Sequence, residues 1–192
     1  MSLRHPWHEV SLGDKAPTVV HAIIEISKDS TLKYELDKKT GLLKLDRFLY
    51  SADHYPGDYG FLPQTFWDDR DPLDIIILTN RPVHPMTIVT VRIIGVLRMI
   101  DGEEKDDKII GVYDGDPRFS EYQNIENIPK HVIVELIHFF ESYKTLQGKT
   151  CKILQILDKE AAYKDIALAK QMYEAKFSKK RIFGKEKISL AA

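Results

Sequence analysis

A chain of 192 residues with 43% hydrophobic and 10% aromatic content can bury one sizeable core, and it is long for one domain but short for two. Its 28 basic residues against 29 acidic ones leave a formal charge of −1, which excludes a bulk field that would recruit nucleic acid or an anionic membrane. Cys151 is the only cysteine, which excludes an intrachain disulfide, and no apolar run approaches the roughly 18 residues that a membrane span needs.

The opening stretch MSLRHPWHEV lacks the apolar segment of a secretory signal, so the chain reads as soluble and cytoplasmic. His5 and His8 could mimic a metal pair, but nothing nearby adds ligands, so both are assigned to capping or packing; Trp7 and Trp67 are assigned to packing. Val19 to Ile26 is β-branched and apolar and predicts a first strand. Leu32 to Leu36 alternates, and Leu42 to Phe48 follows a Lys-Thr-Gly turn, giving two more. Tyr55-Pro-Gly-Asp-Tyr59-Gly-Phe61 reads as an aromatic loop before the acidic run DRDPLD. Asp74 to Thr79, Thr87 to Ile100 and Lys108 to Tyr113 complete the strands, and the short loops between them indicate a mostly antiparallel, barrel-like sheet.

Helical periodicity comes late. From Pro129 to Lys144 the apolar set Val132, Leu136, Phe139 and Phe140 recurs at three and four residues, with Pro129 suited to the first turn. Asp158 to Phe177 is a second amphipathic helix, carrying Ala162, Ile166, Ala169, Met172 and Tyr173 on one side. The stretch from Ser178 to Ala192 is read as a loose tail. No repeat, low-complexity tract or linker divides the sequence, so residues 1–192 are read as a single domain.

Asp69, Asp71 and Asp74 fall inside six residues and lead into the apolar run from Ile75 to Leu78. Carboxylate oxygens are hard ligands, so a cluster without Cys or His points to magnesium or manganese and away from zinc. A second acidic stretch, Asp101 to Asp107, lies at the end of the longest strand. Such a loop alone is commonly just solvated, but two acidic loops at strand ends of one small barrel could converge on shared metals. Lys33 and Glu35 sit two apart and project from one strand face, Asp46-Arg47 closes the next strand, and Tyr143-Lys144 ends the first long helix.

These motifs, in this order, resemble the soluble (family I) inorganic pyrophosphatases. DRDPLD matches the family signature at Asp69, Asp71, Pro72, Leu73 and Asp74, and the second loop matches at Asp101, Asp106 and Lys108. Glu25 in IIEIS, Lys33 and Glu35 in LKYE, Arg47 in LDRF, Tyr55 and Tyr59 in YPGDYGF, and Tyr143 and Lys144 in FFESYK carry the rest, so the likeness spans about Pro6 to Tyr173. It implies an α+β, mainly β fold: an OB-like five-stranded antiparallel β-barrel with two main flanking α-helices.

The implied reaction is hydrolysis of inorganic pyrophosphate by a metal-activated water attacking phosphorus in line, with several Mg2+ per site and Mn2+ as a substitute. The resemblance assigns metal to Asp69, Asp74, Asp101 and Asp106, and to Glu35 or Glu25 through water. It assigns the general base to Asp71. Lys33, Arg47, Tyr59, Tyr143 and Lys144 would clamp phosphate oxygens, Lys108 would also neutralise the acidic cluster, and Tyr55 would orient ligands. A homo-oligomer is implied as well, hexameric if the source is bacterial, with the first long helix contributing to the interface.

One position departs from the pattern: Arg70 stands where the family has a small or polar residue. It is expected to point outward, because neighbours on an extended segment face opposite ways. Asp114-Gly-Asp116-Pro117 imitates the signature, but Phe119 replaces the third Asp and no apolar strand follows, so it is read as a turn. Two other functions are weighed. A barrel that binds nucleic acid without catalysis would need a basic groove where this mouth is acidic. A metal-dependent phosphoesterase for another small phosphate compound would need room for its organic group, and no nucleotide-binding signature is present.

Overall fold

In a computed structural model, which describes residues 5–189, a closed barrel forms the centre of the chain. The strands are β1 (Val19–Ile26), β2 (Leu32–Leu36), β3 (Leu43–Phe48), β4 (Asp58–Phe61), β5 (Asp74–Leu78), β6 (Ile88–Asp101), β7 (Glu104–Lys105), β8 (Lys108–Tyr113) and β9 (Cys151–Asp158). The barrel order is β1-β4-β5-β8-β6, and β6 closes the circle by pairing with β1. Strands β2 and β3 form a separate hairpin, and β9 extends the sheet beside β6.

The barrel is mixed rather than wholly antiparallel, which corrects the sequence expectation. Strand β6 turns back into β8, and β8 slots between β6 and β5. Antiparallel to β6, it must run parallel to β5, with Asp74 opposite Lys108 and Leu78 opposite Val112. Both strands are buried almost throughout, the pattern of strands covered on two faces.

The alternation of β5 divides the core. Ile76 and Leu78 face a cluster with Leu136, Phe139 and Phe140 of α2 (Lys130–Ser142). Ile75 and Ile77 face another, with Ala162, Ile166 and Ala169 of α3 (Lys159–Ser189). Each side chain fully removed from water contributes roughly 1.5–3 kcal/mol, so the two helices seal opposite faces of one sheet. Arg98 adds a polar tie, bonding Asp107 at 2.7 Å and Asp165 of α3 at 2.8 Å.

Several boundaries differ from the sequence reading. The aromatic loop contains β4, a four-residue barrel strand that its Asp and Gly disguised. Gly60 is required there, since a Cβ would meet the Ile23 carbonyl oxygen at 1.9 Å. Strand β9 was not expected; most of its residues are exposed or half-buried, which blurs its period. Pro129 caps α2 instead of entering its first turn. Helix α3 continues past Phe177 to Ser189, because Lys, Arg and Glu sustain helix, so the expected loose tail is helical that far; its last residues, 190–192, lie outside the described residues.

The N-terminal residues pack as expected. In α1 (Pro6–Glu9), Trp7 is buried and donates to the Thr65 carbonyl at 2.8 Å, and the His8 ring meets the Tyr173 hydroxyl at 2.8 Å. The imitation signature is a turn: Asp116 caps the short helix Pro117–Phe119 and pairs with Arg118, while Asp114 pairs with Arg92.

Candidate active site

The parallel start of β5 and β8 sets the centre of the site, because it places Asp74 beside Lys108. Lys108 Nζ donates to Asp74 Oδ2 at 2.6 Å and also to Asp106, and the Tyr59 hydroxyl donates to the same Asp74 oxygen at 2.5 Å. Lys108 is only 2% exposed. Burial disfavours its charge, but Asp74 and Asp106 outweigh that and hold the ammonium protonated. Burial, followed by the Asp74 charge, pushes the Tyr59 hydroxyl well above its usual range, so it stays a donor.

The turn before β5 carries the other two aspartates. The amide of Asp71 bonds to Asp69 Oδ1 at 3.0 Å, the Trp67 amide bonds to the Asp71 carbonyl at 2.8 Å, and Thr65 Oγ1 accepts from Leu73 N–H at 2.9 Å. Burial lifts the Asp69 carboxyl to about 7, with the charges of Asp74 and Asp106 adding and Lys108 opposing. Asp71 forms an ion pair with Lys38. Arg70 is exposed as expected, but for a different reason: its backbone is left-handed, at φ 69°, rather than extended. That conformation favours glycine, which accounts for a small residue in the family pattern.

At the second loop Asp101 pairs with Lys144 and accepts a bond from Cys151 Sγ at 3.4 Å. Burial raises the Asp101 carboxyl, but Lys144 brings it below its usual value. The Cys151 thiol is pushed up to about 11 by burial, then by Asp101. Tyr143 is buried against Phe139, with ring centroids 5.1 Å apart, and burial holds its hydroxyl protonated. Tyr55 lies among Tyr59 and Phe139, where burial holds its hydroxyl protonated too.

The β2–β3 hairpin supplies the rest. Lys33 pairs with Glu35 and reaches Asp46 at 3.6 Å. Arg47 touches Asp46 at 3.2 Å through Nη1, while its Nε and Nη2 are buried without a partner, so two donor nitrogens remain for an anion. Glu25 of β1 accepts from the Leu36 amide at 2.7 Å and so ties the hairpin to the barrel; burial, then Asp74, lifts its carboxyl to about 8.

Most of these groups line one cleft of about 250 Å³. It collects Glu25, Lys33, Glu35, Tyr59, Asp69, Asp71, Asp74, Asp101, Asp106, Lys108 and Lys144 from the sequence-derived set. Arg47 and Tyr143 do not form its lining. Lys38, Glu104 and Lys105 do, and the sequence reading passed over them. Lys38 lies in a turn that looks like ordinary punctuation, and Glu104-Lys105 in a charged hairpin, so neither carried a periodic signal.

A divalent cation suits this donor set. The ligand atoms are all carboxylate oxygens, and the Asp69 carboxyl, raised first by burial and then by the Asp74 charge, is one whose charged form a hard cation would favour. As arranged, however, no three His, Cys, Asp or Glu side chains among the described residues stand together as a ready ion site. Lysines hold the carboxylates instead: Lys108 on Asp74 and Asp106, Lys144 on Asp101, and Lys38 on Asp71.

Comparison with known proteins points the same way. The sequence pattern of the inorganic pyrophosphatase family matches residues 22–174. Soluble inorganic pyrophosphatase PPA1 of Solanum tuberosum is 45% identical over 169 residues, covering 88% of this chain and 80% of that protein. Soluble inorganic pyrophosphatase 1 of Arabidopsis thaliana is 43% identical over the same length, with the same two coverages. Among solved structures, the inorganic pyrophosphatase of Thermus thermophilus superposes with a TM-score of 0.86 at 41% identity, covering 89% of this chain and 99% of that one. That of Helicobacter pylori gives 0.82 at 37% identity, covering 86% and 99%.

Proposed function

The chain belongs to the inorganic pyrophosphatase family and hydrolyses pyrophosphate to orthophosphate, and from that premise we propose how its residues divide the work. Asp71 is the general base. It is half-exposed at the cleft, its backbone is fixed by the turn, and its carboxylate is held by an exposed lysine rather than a buried one. Water attacks phosphorus, a P–O bond forms as the bridging P–O bond breaks, and the water's proton passes to Asp71. The departing phosphate keeps the bond electrons, which Lys33, Arg47, Lys108, Tyr143 and Lys144 stabilise with Tyr59.

Asp69, Asp74, Asp101 and Asp106 would hold Mg2+, with Glu35 and Glu25 further out and Mn2+ able to substitute. When bound, these ions would lower the pKa of the attacking water and offset the charge on the phosphates. The observation that carries the reading is one cleft in which eight carboxylates meet five lysine ammonium groups, those of Lys33, Lys108 and Lys144 among them. A binder of single-stranded nucleic acid would need a basic, aromatic mouth. A nucleotide phosphoesterase would need an apolar shelf, and a charged cleft of about 250 Å³ offers little for a base to stack on.

The protein acts in the cytoplasm as a single-domain subunit of a homo-oligomer, hexameric if the source is bacterial. Purified protein is expected to release orthophosphate from pyrophosphate with Mg2+ and to stop when a chelator is added. Equal rates with and without chelator would overturn the metal assignment.

A further inference from the structure

Lys38 has no part in the division of labour above, yet it lines the cleft and its ammonium rests on Asp71. It also lies within Coulombic reach of Asp69. Its setting differs from that of the other cleft lysines. Lys108 and Lys144 have side chains 2% and 8% exposed, whereas the Lys38 side chain is 51% exposed and its Asp71 partner 42%. An ion pair so open to water is worth little, typically about 0–1 kcal/mol, so it exchanges easily.

The main chain at Lys38 is nevertheless fixed. Asp37 Oδ1 accepts from the amides of Lys39 and Thr40 and from the Thr40 hydroxyl, at 2.8 to 3.2 Å, and closes the turn. The Gly41 amide donates to the Asp37 carbonyl at 2.8 Å, and the His5 ring donates to the Lys38 carbonyl at 3.1 Å. A flexible cationic arm therefore starts from an anchored base at the lip of the cleft. Of its possible partners, a multiply charged phosphate competes better for an ammonium than one carboxylate does.

We infer that Lys38 is a further pyrophosphate-binding residue, whose ammonium moves from Asp71 to a phosphate oxygen when substrate enters and so releases Asp71 to accept the proton. The inference rests on Asp71 being the base. It also gives the turn after β2 a purpose: the hairpin brings to the cleft a cation that the barrel wall does not supply.

The test is steady-state hydrolysis of pyrophosphate with Mg2+ by the wild type, Lys38→Met and Lys38→Arg, with orthophosphate as a competing product. For Lys38→Met, KM is expected to rise about tenfold and inhibition by orthophosphate to weaken alongside it, with kcat within about threefold of wild type, as for loss of a charged contact made equally in ground and transition states. Lys38→Arg should restore KM to within about threefold. An unchanged KM for Lys38→Met overturns the inference. So does a fall in kcat alone, because Lys38 would then only position Asp71. Failure of the underlying reading is separately visible: Asp71→Asn would keep near-normal turnover, whatever the Lys38 variants do.

Discussion

The barrel wall of the cleft and the hairpin that borders it carry similar side chains under different constraints. On the wall, Lys108 is held between Asp74 and Asp106 with almost no solvent contact, at the point where two parallel strands begin side by side. On the hairpin, Lys33, Glu35 and Lys38 sit on a two-stranded ribbon outside the barrel, and Glu35 and Lys38 are more than half exposed. The wall fixes charge at the cost of burying it, so its carboxylates lean on one another and Asp69 is lifted to about 7. The hairpin leaves Glu35 and Lys38 solvated and free to change partners. One region is suited to holding cations in place and the other to meeting an incoming anion.

The sharpest way to break that contrast is to remove Asp71, the proposed base, which pairs with the hairpin's Lys38 from the turn before β5. Asp71→Asn is expected to lower kcat by about 10²–10⁴-fold, the usual span for losing a general base, with a melting temperature close to wild type because the carboxylate is half-exposed. Loss of stability on the same scale as the loss of turnover would make Asp71 structural.

Next in size is the difference between the two lysines. Lys108→Met leaves two carboxylates facing each other without their buried partner, and chelated protein should lose about 3 kcal/mol in denaturant unfolding. Added Mg2+ should return part of it. Lys38→Met should cost less than about 0.5 kcal/mol in the same experiment. Equal losses would erase the distinction between wall and hairpin.

The pH dependence follows from the same wall. Asp69, at about 7, and Glu25, at about 8, both bind protons more tightly when folded than their ordinary values of 3.8 and 4.5. Their contribution to stability is therefore fully present below those ordinary values and is lost as pH rises through 7 to 8. Melting of chelated protein should fall as pH rises from the ordinary values of 3.8 and 4.5 up to about 7 and about 8, and level off above them. Mg2+ should flatten the fall, since a cation takes the place of the protons; a curve that ignores Mg2+ would contradict this.

The smallest effect belongs to Arg70. Replacing it with Gly relieves a left-handed backbone at φ 69° but adds chain entropy, so stability should change by less than about 1 kcal/mol. Activity should change by less than about tenfold for a side chain that points away from the cleft. A larger gain would show Arg70 reaching over the site.

Much of the site was legible because its residues come in short contiguous motifs. DRDPLD joins a turn to an apolar strand, and it carries the family signature at five positions, Asp69, Asp71, Pro72, Leu73 and Asp74. The strands with strong β-branched runs were legible for the same reason. Strand β4 was not, because Asp58 is buried by bonds to the Lys28 and Val83 amides and the Tyr113 hydroxyl, partners that lie far away in sequence. The parallel pairing of β5 and β8 was hidden because a run of isoleucines looks alike in either direction. Lys38 was missed because its role depends on the hairpin folding over Asp71, a contact between residues 38 and 71 that local spacing does not encode.

Orthophosphate release measured across an Mg2+ titration for wild type, Asp74→Asn and Asp71→Asn in parallel tests the central division between holding metal and taking the proton. Asp74→Asn should need far more Mg2+ but regain turnover as it is added, whereas Asp71→Asn should stay slow at every Mg2+ concentration. Recovery of Asp71→Asn at high Mg2+, or an unchanged Mg2+ requirement for Asp74→Asn, would contradict the account.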